Sequence, residues 1–181
     1  MSEIVLESLY FFLPAYVGNM SPQLASWLNL FPSLNKPIDS YFGKNIFGRN
    51  KTVRGFVCGV LVAMIFGVLQ FFGMNLNFFN SISLLDYSNI WIVLSSSFLL
   101  GFGALFGDAI KSLFKRMRKI KSGASWPVAD QMDYVLGGLI FVLPFFMISL
   151  YHILFILIFS PIAHLIVNII AFNLRIKKVW W

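Results

Sequence analysis

Charge is what this chain has least of: only 12% of its 181 residues are Asp, Glu, Lys or Arg, about half the share of an ordinary soluble domain. Acidic residues are the scarcer kind, 7 against 14 Lys and Arg. Cysteine is reduced to Cys58, which excludes an intrachain disulfide and leaves no Cys/His set at zinc-binding spacing. The two histidines, His152 and His164, have no carboxylate at helical spacing, so neither reads as a ligand or a general base. No Ser-His-Asp set and no HExxH motif occurs, and with them go the common hydrolase signatures. What fills the chain is apolar: 59% hydrophobic, 18% aromatic, mean hydropathy +0.80. Such a composition excludes a water-soluble fold. The net charge of +7 suits an anionic partner at a membrane, not a nucleic acid.

A membrane-crossing helix needs about 20 apolar residues. Residues 55–85 carry no charged side chain, residues 87–107 form a second such run, and 134–174 a third. As one helix the last would measure about 62 Å, roughly twice the hydrocarbon thickness. It must fold back, and Ser149–His152 is the expected turn. At the N-terminus, residues 4–20 contain Pro14 and follow Glu3. A signal peptide competes there, but the segment lacks a basic start and a small-residue cleavage site. The expectation is an all-α integral membrane protein, one domain over 1–181. Its five transmembrane helices fall at about 4–20, 55–73, 89–107, 133–150 and 153–174, with long loops at 21–54 and 108–132.

Basic residues mark the cytoplasmic side. Here they fall in loop 21–54 (Lys36, Lys44, Arg49, Lys51, Arg54), in loop 108–132 (Lys111, Lys115, Arg116, Arg118, Lys119, Lys121) and in the tail (Arg175, Lys177, Lys178). Five spans put all three groups on one side. The N-terminus is therefore expected outside, and the loops are expected to face the cytoplasm from a multi-pass protein of the plasma membrane. Trp180 and Trp181 beside Lys177 and Lys178 read as an interfacial anchor.

The first loop contains NKPIDSYFGKNIFGRNKTVRGF, with Pro37 and Gly43 as turn formers. Gly43 and Gly48 have P-loop separation, but Lys51-Thr52 arrive two residues late for that motif. The glycines and cations could hold phosphates in another geometry. In the second loop Asp108 stands at the end of an apolar helix, one turn from Lys111 and on the face of Lys115. Charge at membrane depth marks function by default, and a surface ion pair is the bland alternative. Asp130 and Asp133 are also one turn apart, at the start of the fourth span. Two like charges there are tolerated by the helix dipole or by a bound cation. Three carboxylates beside surplus cations suit nucleotide phosphoryl chemistry, with Mg²⁺ on the carboxylates and Lys/Arg on the phosphate oxygens. Gly101-Phe-Gly103 with Gly107, and Gly55-x-x-x-Gly59, read as small-residue helix packing.

Four motifs, Lys36-Pro37-Ile38-Asp39, Lys51-Thr52-Val53-Arg54-Gly55, Gly107-Asp108-x-x-Lys111-Ser112 and Trp126-Pro127-x-x-Asp130-Gln131-x-Asp133-Tyr134, resemble those of the CDP-archaeol synthase family. That family joins CTP to a lipid phosphate in the membrane. The DQxD element also looks like the DRxD of bacterial phosphatidate cytidylyltransferases. One departure is Val53, where the family usually has Trp.

The resemblance implies attack of a lipid phosphate, 2,3-di-O-geranylgeranylglyceryl phosphate or similar, on the α-phosphorus of CTP, with pyrophosphate released among membrane lipids. It implies Mg²⁺ on Asp108, Asp130 and Asp133, and catalysis by Asp130, Asp133 and Lys111. Nucleotide and phosphate contacts would come from Asn50, Lys51, Thr52, Arg54, Lys111, Ser112, Lys115, Arg116 and Gln131. A phosphatidate cytidylyltransferase making CDP-diacylglycerol is the nearest alternative. A CDP-alcohol phosphotransferase would need carboxylates at i, i+4 spacing, which are missing. A small transporter or lipid-binding protein would need charges in mid-span, whereas here they sit at the rim.

Overall fold

The computed structural model of the protein describes residues 2–41, 46–121, 124–173 and 175. Gly43, Lys44, Leu174, Lys177, Lys178, Trp180 and Trp181, invoked above as a turn former, basic residues, the end of the last span and an interfacial anchor, lie outside the described residues. Within them every regular element is helical: α1 (Ser2–Trp27), two 3₁₀ turns (Pro32–Leu34 and Ile38–Tyr41), α2 (Val53–Gly73), a short α3 (Asn77–Ser81), α4 (Ile90–Met117), α5 (Ala129–Val142) and α6 (Leu150–Asn173). Among the described residues three stretches are long and apolar enough to cross a membrane: Val53–Gly73, Ile90–Met117 and Leu150–Ile170.

α4 is the centre, packed against α5, α2 and α1, and α6 lies on α5 and α1. The core joins Phe11, Phe12 and Ala15 of α1 to Leu100 and Ala104 of α4, Val135 and Leu139 of α5, and Ile156 of α6. Outward faces are equally apolar, with Ile65, Leu69, Ile140, Ile158 and Ile162 exposed, as lipid contact requires.

Small residues let the central helices touch. A Cβ built on Gly137 would lie 2.1 Å from the carbonyl oxygen of Gly103, and one on Gly107 2.2 Å from that of Asp133. Gly101 meets Ala63, and Gly59 meets Leu105 and the carbonyl of Gly18. Both glycine motifs thus serve helix crossings, and the α4–α5 crossing lies immediately beside Asp108 and Asp133.

Two polar ties join distant helices. Pro14 has no N–H, so the Tyr10 carbonyl one turn back loses its helical donor. Buried Gln70 of α2 replaces it: its Nε2 donates to that carbonyl at 2.5 Å, and the Tyr10 hydroxyl donates to the Gln70 backbone carbonyl at 3.4 Å. Gln70→Leu should lower stability by about 1–3 kcal/mol, the usual loss when a buried group is left unsatisfied, read as an earlier unfolding midpoint in detergent. At the same end of the bundle, His152 Nε2 and Glu7 Oε2 are 2.8 Å apart. The carboxylate that His152 lacks on its own helix comes from α1.

The helices differ at their ends from the expected spans. α5 stops at Val142 and α6 starts at Leu150, so the fold-back lies at 143–149, ahead of the expected Ser149–His152. Pro144 cannot continue the hydrogen-bond ladder, and the Ser149 hydroxyl accepts from Tyr151 N at the start of α6. α5 is therefore only 14 residues, about 21 Å long. α1 runs through Pro14 and Pro22 to Trp27. α4 continues past residue 107 to Met117, so much of the second loop is helix.

Candidate active site

The site forms where α4 ends and α5 begins. Because the glycine crossing holds these helices at backbone contact, Asp108 and Lys111 of α4 face Asp130 and Asp133 of α5. The Lys111 ammonium touches all three carboxylates: Asp108 Oδ1 at 3.0 Å, Asp130 Oδ1 at 3.0 Å and Asp133 Oδ2 at 2.5 Å. Lys51 pairs with Asp108 Oδ2 from the first loop. Lys115 binds Asp130, at 2.7 Å to Oδ1 and 2.9 Å to Oδ2, and also donates to the Ala124 carbonyl at 2.8 Å. Three aspartates and three lysines make a neutral set. The side chain of Asp133 is 5% exposed and that of Lys111 14%, so each charge needs the others.

Backbone groups complete the shell. Tyr134 N donates to Asp133 Oδ1 at 2.7 Å, and Trp126 N to Asp130 Oδ2 at 2.7 Å, while Asp130 N donates back to the Trp126 carbonyl at 3.0 Å.

The first loop is closed by its own backbone. Ile38 N donates to Lys51 O at 2.8 Å and Val53 N to Lys36 O at 3.0 Å, a short antiparallel bridge between Pro37 and Thr52. Buried Asp39 accepts from Phe47 N at 2.8 Å and Gly48 N at 2.7 Å. Gly48 adopts φ 93°, a conformation natural to glycine. Thr52 caps α2 by accepting from Gly55 N at 3.1 Å. These contacts aim Lys51 at Asp108. They also frame a polar pocket of about 140 Å³, whose lining includes Asn35, Asn50, Lys51, Thr52, Arg54 and Asp108. Arg54 is buried and donates to Asn29 Oδ1 at 3.2 Å and Ser26 Oγ at 3.3 Å.

On the other side of the cluster the chain turns sharply. α4 ends with Lys119 at φ 58°; Lys119 N donates to Arg116 O and Ile120 N to Lys115 O, each at 2.9 Å, the pairing of a helix-ending Schellman turn. Val128, at φ 67° and ψ −51°, precedes α5, and Ala129 N donates to Pro127 O at 2.8 Å. This is a γ-turn, strained for a β-branched residue. The returning chain places Trp126 beside an apolar cavity of about 360 Å³ between α4 and α5, lined also by Phe114, Met132, Leu136, Lys111 and Asp133.

Of the expected site residues, Asp108, Lys111, Lys115, Asp130, Asp133 and Lys51 meet in one cluster, and Asn50, Thr52 and Arg54 share the pocket beside it. Ser112 donates to the Asp108 carbonyl at 2.9 Å, so its hydroxyl serves the helix in this state. Arg116 and Gln131 stand outside the cluster, and Arg116 Nε and Gln131 Oε1 are buried without a hydrogen-bond partner among the described residues. The repulsion between Asp130 and Asp133 is answered here by Lys111 and Lys115. Sequence reasoning missed Ser26, Asn29 and Asn35, which close an apolar helix and its turn without any periodic signal, and the apolar lining of the α4–α5 cavity.

Among the described residues no three His, Cys, Asp or Glu side chains form a ready cation cage; the Lys111 ammonium holds the point on which the aspartates converge. Their donor chemistry, carboxylate oxygens facing one point, fits a hard divalent cation.

The whole chain, residues 1–181, matches the family described as CarS-like, CDP-archaeol synthase. The protein belongs to that family. CDP-archaeol synthases of Methanococcus aeolicus and Methanocaldococcus jannaschii are 35% and 34% identical to it over 98% of this chain and 97% and 98% of their own. That of Thermococcus onnurineus is 33% identical over 98% of this chain and 97% of its own. A solved intramembrane enzyme for archaeal membrane lipids biosynthesis shares the fold, with a TM-score of 0.71 over 91% of this chain and 94% of that one at 24% identity. Family membership agrees with the reading of the motifs: the chain is a membrane enzyme of the CTP-dependent cytidylyltransferase class.

Proposed function

We propose that the protein transfers CMP from CTP to a lipid phosphate, 2,3-di-O-geranylgeranylglyceryl phosphate or a close relative, forming a CDP-activated lipid and pyrophosphate. One observation carries this reading: a single ionic cluster lines two cavities, one of mixed polar and apolar walls and one almost wholly apolar. Lys51 and Asp108 belong to the polar pocket, and Lys111 and Asp133 to the apolar cavity. A water-soluble nucleotide suits the first, a lipid tail the second, and their phosphates would meet at the cluster.

In this reading a phosphate oxygen of the lipid attacks the α-phosphorus of CTP. The bond from that phosphorus to the α,β-bridging oxygen breaks, and pyrophosphate leaves with the electron pair. Asn50, Lys51, Thr52 and Arg54 take the nucleotide. Lys111, with Lys115, Ser112, Arg116 and Gln131 around it, orients the reacting phosphates and neutralises them. Asp108, Asp130 and Asp133 would hold Mg²⁺, which when bound supplies charge neutralisation on the triphosphate.

The membrane arrangement proposed with it is five spans, with α1 and α5 added to the three long apolar helices, the N-terminus outside and the site facing the cytoplasm. In its support, the ion pairs gather Lys51, Lys111 and Lys115 at one end of the bundle, while Glu7 and His152 pair at the other. Basic residues on the cytoplasmic side and CTP in the cytosol agree with that placing.

The test is product identification. Purified protein is incubated with CTP, Mg²⁺ and an equimolar mixture of geranylgeranylglyceryl phosphate and phosphatidate, and lipids are read by mass spectrometry. CDP-archaeol-type product that vanishes on chelation is the expected result. CDP-diacylglycerol alone would move the substrate to acyl lipids, and no CDP-lipid of either kind would end the proposal.

A further inference from the structure

Every lysine in the cluster is already matched by a carboxylate, so an arriving phosphate gains no uncompensated cation from that set alone. Cations without a carboxylate within ion-pair distance, among the described residues, are what remain to attract it. Two of these arginines stand beside the two cavities. Arg54 serves the polar pocket. On the other side, the Arg118 guanidinium lies 4.8 Å from the centroid of the Trp126 ring, and Trp126 lines the apolar cavity.

The local chain explains why Arg118 is there. It occupies the last position before the Schellman turn, and the returning segment carries Trp126 against it, fixed by the reciprocal backbone pair between Trp126 and Asp130. Asp130 is the nearest carboxylate along this segment, and its oxygens are engaged by Lys111, Lys115 and Trp126 N. A guanidinium laid on an indole face keeps its N–H fork available at the edge, and that fork matches two phosphate oxygens. Tail space, aromatic wall and uncompensated fork thus lie together, with Lys111 and Asp133 on the same cavity.

Resting on the function proposed above, we propose that Arg118, seated on Trp126, is the specificity-determining residue that captures the phosphate of the lipid substrate as its tails enter the α4–α5 cavity. Arg118 acts on the lipid and not on the nucleotide. It distinguishes a phosphate-headed lipid from the same lipid without phosphate.

The experiment has a binding arm and a turnover arm. In nanodiscs without CTP, binding of geranylgeranylglyceryl phosphate is compared with that of its dephosphorylated alcohol, for wild type, Arg118→Ala and Arg118→Lys. Arg118→Ala should bind the phosphate lipid about tenfold more weakly, the scale of one charge-assisted contact, with binding of the alcohol unchanged and partial recovery in Arg118→Lys. In turnover the KM for lipid should rise by a similar factor while the KM for CTP stays the same. The proposal is overturned if Arg118→Ala still separates the two lipids as wild type does, if it weakens both equally, or if the KM for CTP rises instead. A wild type that binds the phosphate lipid selectively through Arg118 yet makes no CDP-lipid would sink the cytidylyltransferase reading and leave the phosphate capture standing.

Discussion

Asp133→Asn is expected to reduce CDP-lipid formation about a thousandfold, the upper range for removing one preorganised electrostatic group from a reaction centre. Asp133 is the most buried carboxylate of the cluster, with one oxygen on its neighbour's backbone N–H and the other on Lys111. Asparagine keeps the shape but removes the charge, and an amide turned toward Lys111 sets donor against donor. Leaving a buried ammonium short of a partner costs about 3–5 kcal/mol in comparable sites, so the thermal midpoint should also fall. Asp86→Asn is the control: Asp86 is exposed, bonded locally to Ser88, and outside the cluster, so its rate should match wild type. The measurement is the initial rate of CTP incorporation per inserted molecule. Near-normal turnover by Asp133→Asn would remove that carboxylate from the reaction centre.

Gly137→Ala should have the second-largest effect, about a hundredfold loss of rate, although residue 137 carries no chemistry. A methyl 2.1 Å from the Gly103 carbonyl is untenable, and α5 must retreat from α4 by about 1 Å to restore ordinary contact. Displacements of that size can remove about two orders of magnitude from a rate. Here they would open ionic contacts of 2.5–3.0 Å between Lys111 and its three partners. Gly73→Ala is the comparison: its Cβ would first meet an atom at 3.4 Å, and rate and melting should both stay near wild type. Equal rates for Gly137→Ala and Gly73→Ala would show that the crossing does not set the site.

The chemistry of the cluster was more legible in the sequence than its wiring. Asp108, Lys111, Asp130 and Asp133 stand out because they interrupt uncharged runs at one-turn spacing, a signal that needs no fold. That Lys51 reaches Asp108 across 57 residues, or that Glu7 meets His152, depends on how helices stack, which periodicity does not encode. The Asp130–Asp133 repulsion pointed to a dipole or a bound cation because the competing answer, lysines from the preceding helix, requires the α4–α5 crossing. Gly103 and Gly107 were readable as packing residues, but not Gly137 as their target. The end of α5 went astray because counting uncharged residues weighs side chains, whereas Pro144 acts through a missing backbone N–H. Ser26 and Asn29 gave no warning of a role, since what recruits them is the burial of Arg54.

Lys111 also has a bearing on the idle enzyme. By sitting among three aspartates it acts as a tethered counterion that offsets their mutual repulsion. The chain thereby carries its own counterion for the three carboxylates, set within ion-pair distance of each by the α4–α5 crossing.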